Sequence, residues 1–123
     1  MSRPMTAYAN FKQYSVRYDL QRHQFNVWYT PKKLVVEEAG VICINYAGET
    51  FTLADYSSVN FSLIQQDDAT VLRIAYGNGP LPQPELGIQF RLNDRGVSCT
   101  FGARGDMDIN VAGRLLWGDD MAN

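Results

Sequence analysis

The chain has 123 residues, 46% of them hydrophobic and 20% charged, with a formal net charge of −2. That is the size and composition of one globular domain over residues 1–123 and excludes disorder, collagen and coiled coil as readings of the whole. No apolar run approaches the ~20 residues of a membrane helix, and the slight negative charge argues against a phosphate-backbone binder, so neither membrane nor nucleic acid is expected as a partner.

The N-terminal Met1-Ser2-Arg3-Pro4-Met5-Thr6-Ala7-Tyr8 lacks the apolar centre of a secretory signal. A cytoplasmic location is the corresponding expectation. From there the dominant signal is period two. Ser15-Val16-Arg17-Tyr18-Asp19-Leu20 alternates polar and apolar, and so does Gln24-Phe25-Asn26-Val27-Trp28-Tyr29, with Trp28 on the face opposite Phe25 and Val27. The polar Gln21-Arg22-His23 between them predicts a β-hairpin. Pro31 ends it, because proline cannot continue a central ladder.

Strands are next predicted over residues 34–37 and 41–46, with Ala39-Gly40 between them and Ala47-Gly48 after. Residues 50–53, 59–64 and 70–76 follow, the last two joined by an Asp67-Asp68 turn. Residues 77–84 hold three of the five prolines and read as a surface loop. Alternation resumes at 86–92 and 97–101 across an Asn93-Asp94-Arg95-Gly96 turn, and again at 107–111. Leu115-Leu116-Trp117 is the last apolar piece. Only residues 5–13 and 53–58 have room for a helical turn. About nine short strands with polar, Gly-containing turns predict an all-β antiparallel sandwich with minimal helix. The expected core comprises Val16, Tyr18, Leu20, Phe61, Leu63, Leu72, Ile74, Ile88, Phe90, Leu92, Cys99 and Phe101.

The residues that could carry chemistry are few. Cys43 and Cys99 are far apart, lack a C-x-x-C setting and read as reduced core thiols. The single histidine, His23, falls in the predicted hairpin loop and reads as an exposed turn residue. One histidine builds neither a catalytic triad without a nucleophile setting nor a typical zinc site. The doublets Glu37-Glu38, Asp67-Asp68 and Asp119-Asp120 are poor glycosidase pairs, since neighbours in a strand point to opposite faces. Asp106-x-Asp108-x-Asn110 lacks the Gly and Glu that a calcium loop requires. Gly77-x-Gly79 opens no helix, and Arg104-Gly105-Asp106 matches an adhesion tripeptide only by spelling. No metal, no cofactor and no catalytic residue is expected.

Tyr18-Asp19-Leu20 through Phe25-Asn26-Val27, then residues 36–46 and Thr52-Leu53-Ala54-Asp55-Tyr56, resemble the opening of a supersandwich (galactose-mutarotase-like) domain. That domain stands at the N-terminus of glycoside hydrolases similar to α-galactosidases and raffinose synthases. The resemblance covers about the first half of the chain. Arg22-His23 depart from it, standing where the family's hairpin has a small Thr-Gly. The chain is also shorter than the complete domain. In those enzymes the catalytic carboxylates lie on a following barrel domain, so no catalytic residue carries over. The resemblance implies a non-catalytic accessory domain of a carbohydrate-active protein, with a carbohydrate or a neighbouring catalytic domain as partner.

Three functions are compatible with this pattern. The first is a non-catalytic carbohydrate-binding or domain-docking module. The second is a protein-interaction or self-assembly domain. The third, a small-ligand barrel, fits worst, because the inward positions are large and apolar. The ligand residues expected for the first are Trp28, Trp117, Asp119 and Asp120. A homodimer with Trp28 and Trp117 as contact residues is expected for the second.

Overall fold

The computed structural model of the chain describes residues 6–30, 34–77, 85–103 and 108–115. Ten strands form in it: β1 (Thr6–Phe11), β2 (Tyr14–Asp19), β3 (Gln24–Tyr29), β4 (Leu34–Tyr46), β5 (Glu49–Phe51), β6 (Ser58–Gln65), β7 (Ala69–Gly77), β8 (Leu86–Asn93), β9 (Gly96–Ala103) and β10 (Asp108–Leu115). The helical content of the described residues is one 3₁₀ turn, Leu53–Asp55. All pairings are antiparallel. The first sheet runs β1-β2-β3-β4-β10 and the second β6-β7-β8-β9. This is the all-β sandwich that the alternation predicts. None of its helices is long and apolar enough to cross a membrane, among the described residues.

Two elements differ from the sequence expectation. Residues 6–11, which have room for a helical turn, form strand β1 instead. Ala7 and Ala9 are buried while Tyr8 and Asn10 face out, so pairing with β2 overrides the helical propensity of alanine. Ala39-Gly40 marks no break either: β4 runs through it for 13 residues. Gly40 is there because β4 passes very close to the β2–β3 loop. A Cβ at Gly40 would stand 2.7 Å from the His23 carbonyl oxygen. The length of β4 lets it pair with β3 (Gln24↔Gly40) and, further along, with β5 (Ile44↔Phe51), while β10 pairs along both stretches. Ala47 and Gly48, both at positive φ, make the two-residue turn that joins β4 to β5.

The core lies between the inner faces of β1–β4 and β7–β8. Val16, Tyr18, Leu72, Ile74, Ile88, Phe90 and Leu92 are buried, as expected, together with Phe25, Ile44, Tyr76 and Leu86. Aromatic rings bridge the sheets: Phe25 meets Phe90 edge-on at 4.7 Å between centroids, and Tyr18 meets Phe90 at 6.0 Å. Each such pair contributes about 0.5–1.5 kcal/mol beyond the area it buries. Thr70, the one buried polar residue among those described, donates its hydroxyl to the Asn10 carbonyl at 3.0 Å and ties β7 to β1.

Part of the expected core is not core. Phe61 is 40% exposed and Leu63 44%. Both lie on β6, opposite the buried Ile74 and Leu72 of β7, and therefore on the inner face of the second sheet. The first sheet does not reach them. Its edge strand β1 packs against β7 and β8, leaving β6 as an overhang. Leu20, Cys99 and Phe101 are half-buried at the margin of the core.

Candidate functional site

The end of the β2–β3 hairpin organises both of the polar features that stand out. Its loop is closed by the His23 amide donating to the Asp19 carbonyl at 2.8 Å. The Asp19 side chain caps the same turn: Oδ1 accepts the amides of Gln21 and Arg22, each at 2.9 Å. His23 takes a left-handed backbone conformation, φ 60°, which histidine tolerates better than most residues.

That conformation turns His23 inward, contrary to the exposed histidine expected from sequence. Its imidazole is half-buried, and Nδ1 lies 2.8 Å from the Tyr76 hydroxyl. The Tyr76 hydroxyl in turn lies 2.5 Å from that of Tyr18. Tyr18 is on β2 and Tyr76 on β7, so the chain of three groups crosses the sandwich. Both phenolic hydrogens of this chain of groups are used when Tyr18 donates to Tyr76 and Tyr76 donates to a neutral His23 carrying its proton on Nε2. Burial pushes both phenols well above the ordinary tyrosine range, and for Tyr18 the neighbouring Tyr76 adds to the shift. Burial also lowers the His23 pKa from its usual 6.5, with Asp19 opposing. The three groups thus form a hydrogen-bonded tie across the core, between β2, the β2–β3 loop and β7.

On the outer surface of the first sheet the same hairpin builds a cleft. The alternation of β2 and β3 puts Arg17, Asp19, Gln24, Asn26 and Trp28 on one face, away from Val16, Tyr18, Phe25 and Val27. Arg22 enters from the loop. Glu38 enters from β4 through a bulge, in which Glu37 and Glu38 together stand against the single residue Asn26. Glu38 has φ 50°, and its amide donates to Asn26 Oδ1 at 2.7 Å. Arg17, Asp19, Arg22, Gln24, Asn26 and Glu38 line a space of about 100 Å³. The Arg17 guanidinium then lies over the Trp28 ring, 5.3 Å from its centroid. The half-buried indole therefore fixes one wall of the cleft.

The formal charges in the cleft cancel: two guanidiniums against two carboxylates. Its hydrogen-bonding capacity is mixed. Arginines only donate, carboxylates only accept, and the two amides do both.

Of the residues expected at a ligand site, Trp28 is beside this cleft; Trp117, Asp119 and Asp120 lie outside the described residues. Arg104-Gly105-Asp106 lies outside them as well. Asp67 and Asp68 are exposed in the β6–β7 turn. Cys43 and Cys99 carry thiols, one in each sheet, and burial pushes the Cys99 pKa up to about 11. That value marks an unreactive sulfhydryl. No cluster of three or more His, Cys, Asp or Glu is placed to hold a metal among the described residues. The clustering of Arg17, Asp19, Gln24 and Asn26 was available in the sequence, because two alternating runs joined by a short loop present their polar positions side by side. Glu38 was not, since its position depends on a bulge.

A second concavity, about 250 Å³, lies on the outer face of the second sheet. Its floor is Ala75, Gly87 and Gly102, where three adjacent strands lack large side chains, and Arg73, Gln89 and Thr100 flank it. Arg73 Nε donates to Gln89 Oε1 at 2.8 Å, which closes one side. Comparison with protein-family models, curated proteins and solved structures gives no match to this chain.

Proposed function

We propose that the protein is a non-catalytic binding module for a neutral, polyhydroxylated ligand, a carbohydrate, taken in the cleft between the β2–β3 hairpin and β4. The observation that carries the reading is the cleft's composition. Two arginines, two carboxylates and two amides converge with no net charge beside an indole. A sugar hydroxyl donates and accepts at once, so it needs both kinds of partner within a small radius. An anion would favour uncompensated arginines, and a cation uncompensated carboxylates. A space of about 100 Å³ takes the edge of one pyranose ring and leaves the rest of a chain in solvent. The absence of catalysis is part of the proposal. Asp19 is committed to two loop amides, and His23 points away from the cleft into the core.

The test is an NMR titration of the ¹⁵N-labelled protein with neutral mono- and oligosaccharides. Shifts confined to the amides of 17–26 and 38, lost in Arg22→Ala and in Glu38→Ala, are the expected result. Shifts elsewhere, or a response only to anionic ligands, would refute the reading. A glycoside hydrolysed by the purified protein would refute its non-catalytic part.

A further inference from the structure

We infer that β6 is a self-pairing edge, through which two copies of the chain join their second sheets into one continuous antiparallel sheet. The inference stands independently of the cleft.

Strand β6 pairs with β7 on one side only and ends the second sheet. From Phe61 to Gln65 every residue is exposed, on both faces of the sheet. Of the four large hydrophobic residues exposed among those described, three are here: Phe61, Leu63 and Ile64. Edge strands are ordinarily guarded by charge, proline, a bulge or a covering element. Among the described residues, β6 has none of these guards. Its sequence, SVNFSLIQ, contains no charged residue and no proline, and its pairing with β7 is regular over all eight positions. An apolar strand on an open edge is stabilised by adding a further strand, which satisfies its outward amides and carbonyls and covers its side chains.

The occupant that fits is a second β6. Antiparallel pairing about a two-fold axis normal to the sheet keeps inner faces with inner faces. Residue pairs must then share parity, since a slip of one residue would set Phe61 and Leu63 against polar positions. The register with Ser62 on the axis places Phe61 of each copy opposite Leu63 of the other, and Ile64 opposite Asn60. The next permitted one, with Phe61 on the axis, sets Leu63 opposite Val59, which already packs on the core of its own chain, and so covers less of the exposed apolar strip. The two Phe61–Leu63 pairs would fill the strip between the two overhanging inner faces. Trp28, on the outer surface of the other sheet, takes no part in this contact.

Ser62→Cys tests the register, because a residue on the axis cross-links to its own copy. The expected result is a disulfide-linked dimer of Ser62→Cys under mild oxidation, and none from the wild type, whose native cysteines lie elsewhere. Sedimentation of the wild type should show a dimer that dissociates on dilution. Leu63→Lys should be monomeric across the same range, with an unchanged far-ultraviolet spectrum and melting temperature, since Leu63 is already half-exposed in the single chain. A wild type that stays monomeric at the highest concentration reached would overturn the inference, and would leave the edge to a strand from a different protein. So would a dimer that survives Leu63→Lys, or Phe61→Cys cross-linking where Ser62→Cys does not.

Discussion

Strands β6 and β7 are neighbours with the same kind of sequence and opposite fates. Val59-Asn60-Phe61-Ser62-Leu63 alternates at least as cleanly as Val71-Leu72-Arg73-Ile74-Ala75, where Arg73 is the one polar position, and the two strands are hydrogen-bonded in register over eight pairs. Yet Leu72 and Ile74 are 0% exposed, while Leu63 and Phe61, directly opposite them, are 44% and 40% exposed. The difference is one of topology. Alternation decides which face of a strand is apolar. Whether that face is covered depends on how far the opposing sheet extends, and here it ends at β1, over β7 and β8. The covered region is also tied by polar contacts, Thr70 to Asn10 and Tyr18 through Tyr76 to His23.

The largest expected effect follows directly. Leu72→Ala should cost about 2–5 kcal/mol, since it empties a site in the closed part of the core. Leu63→Ala should cost well under about 1 kcal/mol in the monomer, the usual range for an exposed position. Urea unfolding of both variants, at a concentration where the protein is monomeric, measures the gap. Equal losses would mean that β6 is covered after all.

This pair of residues also marks how far the sequence was legible. The sandwich, the hairpin at 15–29 and the inner face of β7 and β8 follow from period two, a local property. The boundary of the core does not, because it depends on which strands of two sheets end up face to face. Gly40 and His23 failed for a related reason. Gly between two apolar runs reads as a break, and His in a polar loop reads as exposed. Each was decided by a contact with a segment distant in the chain: the Gly40 backbone against the His23 carbonyl, and the His23 imidazole against the Tyr76 hydroxyl. In the candidate site the contribution of β2 and β3 was readable from alternation, whereas Glu38 enters through a bulge that no periodicity announces.

Gly40→Ala sharpens the comparison on the covered side. The added Cβ would meet a backbone oxygen at 2.7 Å, and neither strand β4 nor the hydrogen-bonded hairpin loop can withdraw freely. A loss of about 1–3 kcal/mol is expected, the usual scale for overpacking. Substituting Gly102 in the same way should be nearly silent, because nothing lies within 4 Å of the added atom. Thermal melts of the two variants separate the cases. If they melt together, the close approach of β4 to the loop is not a constraint on the fold.

The tyrosine tie gives a graded pair of variants. Tyr76→Phe strands the Tyr18 hydroxyl in the core and removes the partner of His23, so it should cost about 1–3 kcal/mol. Tyr18→Phe removes only the terminal donor and leaves the Tyr76–His23 bond in place, with a loss of about 1 kcal/mol. Chemical denaturation that ranks Tyr18→Phe as the more damaging of the two would contradict the direction assigned to these hydrogen bonds.

The smallest expected effect is a pH dependence seated at His23. The groups facing this imidazole are Tyr76, which burial keeps protonated, and Asp19, whose charge partly offsets the desolvation. Burial leads, so the folded-state pKa lies below the usual 6.5 of the unfolded chain. The sign of the linkage follows. Above about pH 6.5 the histidine is neutral in both states and the native state bears no penalty. As the pH falls, the unfolded chain takes up the proton first, and stability declines until the folded form is protonated too. Protonation also changes the tie itself: Nδ1 becomes a donor to Tyr76, which leaves the Tyr76 hydrogen without its acceptor. The decline therefore begins above the range where ordinary carboxylates titrate, near pH 4. His23→Asn keeps a residue that tolerates positive φ and removes the titrating ring. Unfolding free energies measured from pH 7.5 down to 5 should slope downward in the wild type and lie flat in His23→Asn. Parallel profiles would place the acid sensitivity in the carboxylates of the surface and leave His23 no part in it.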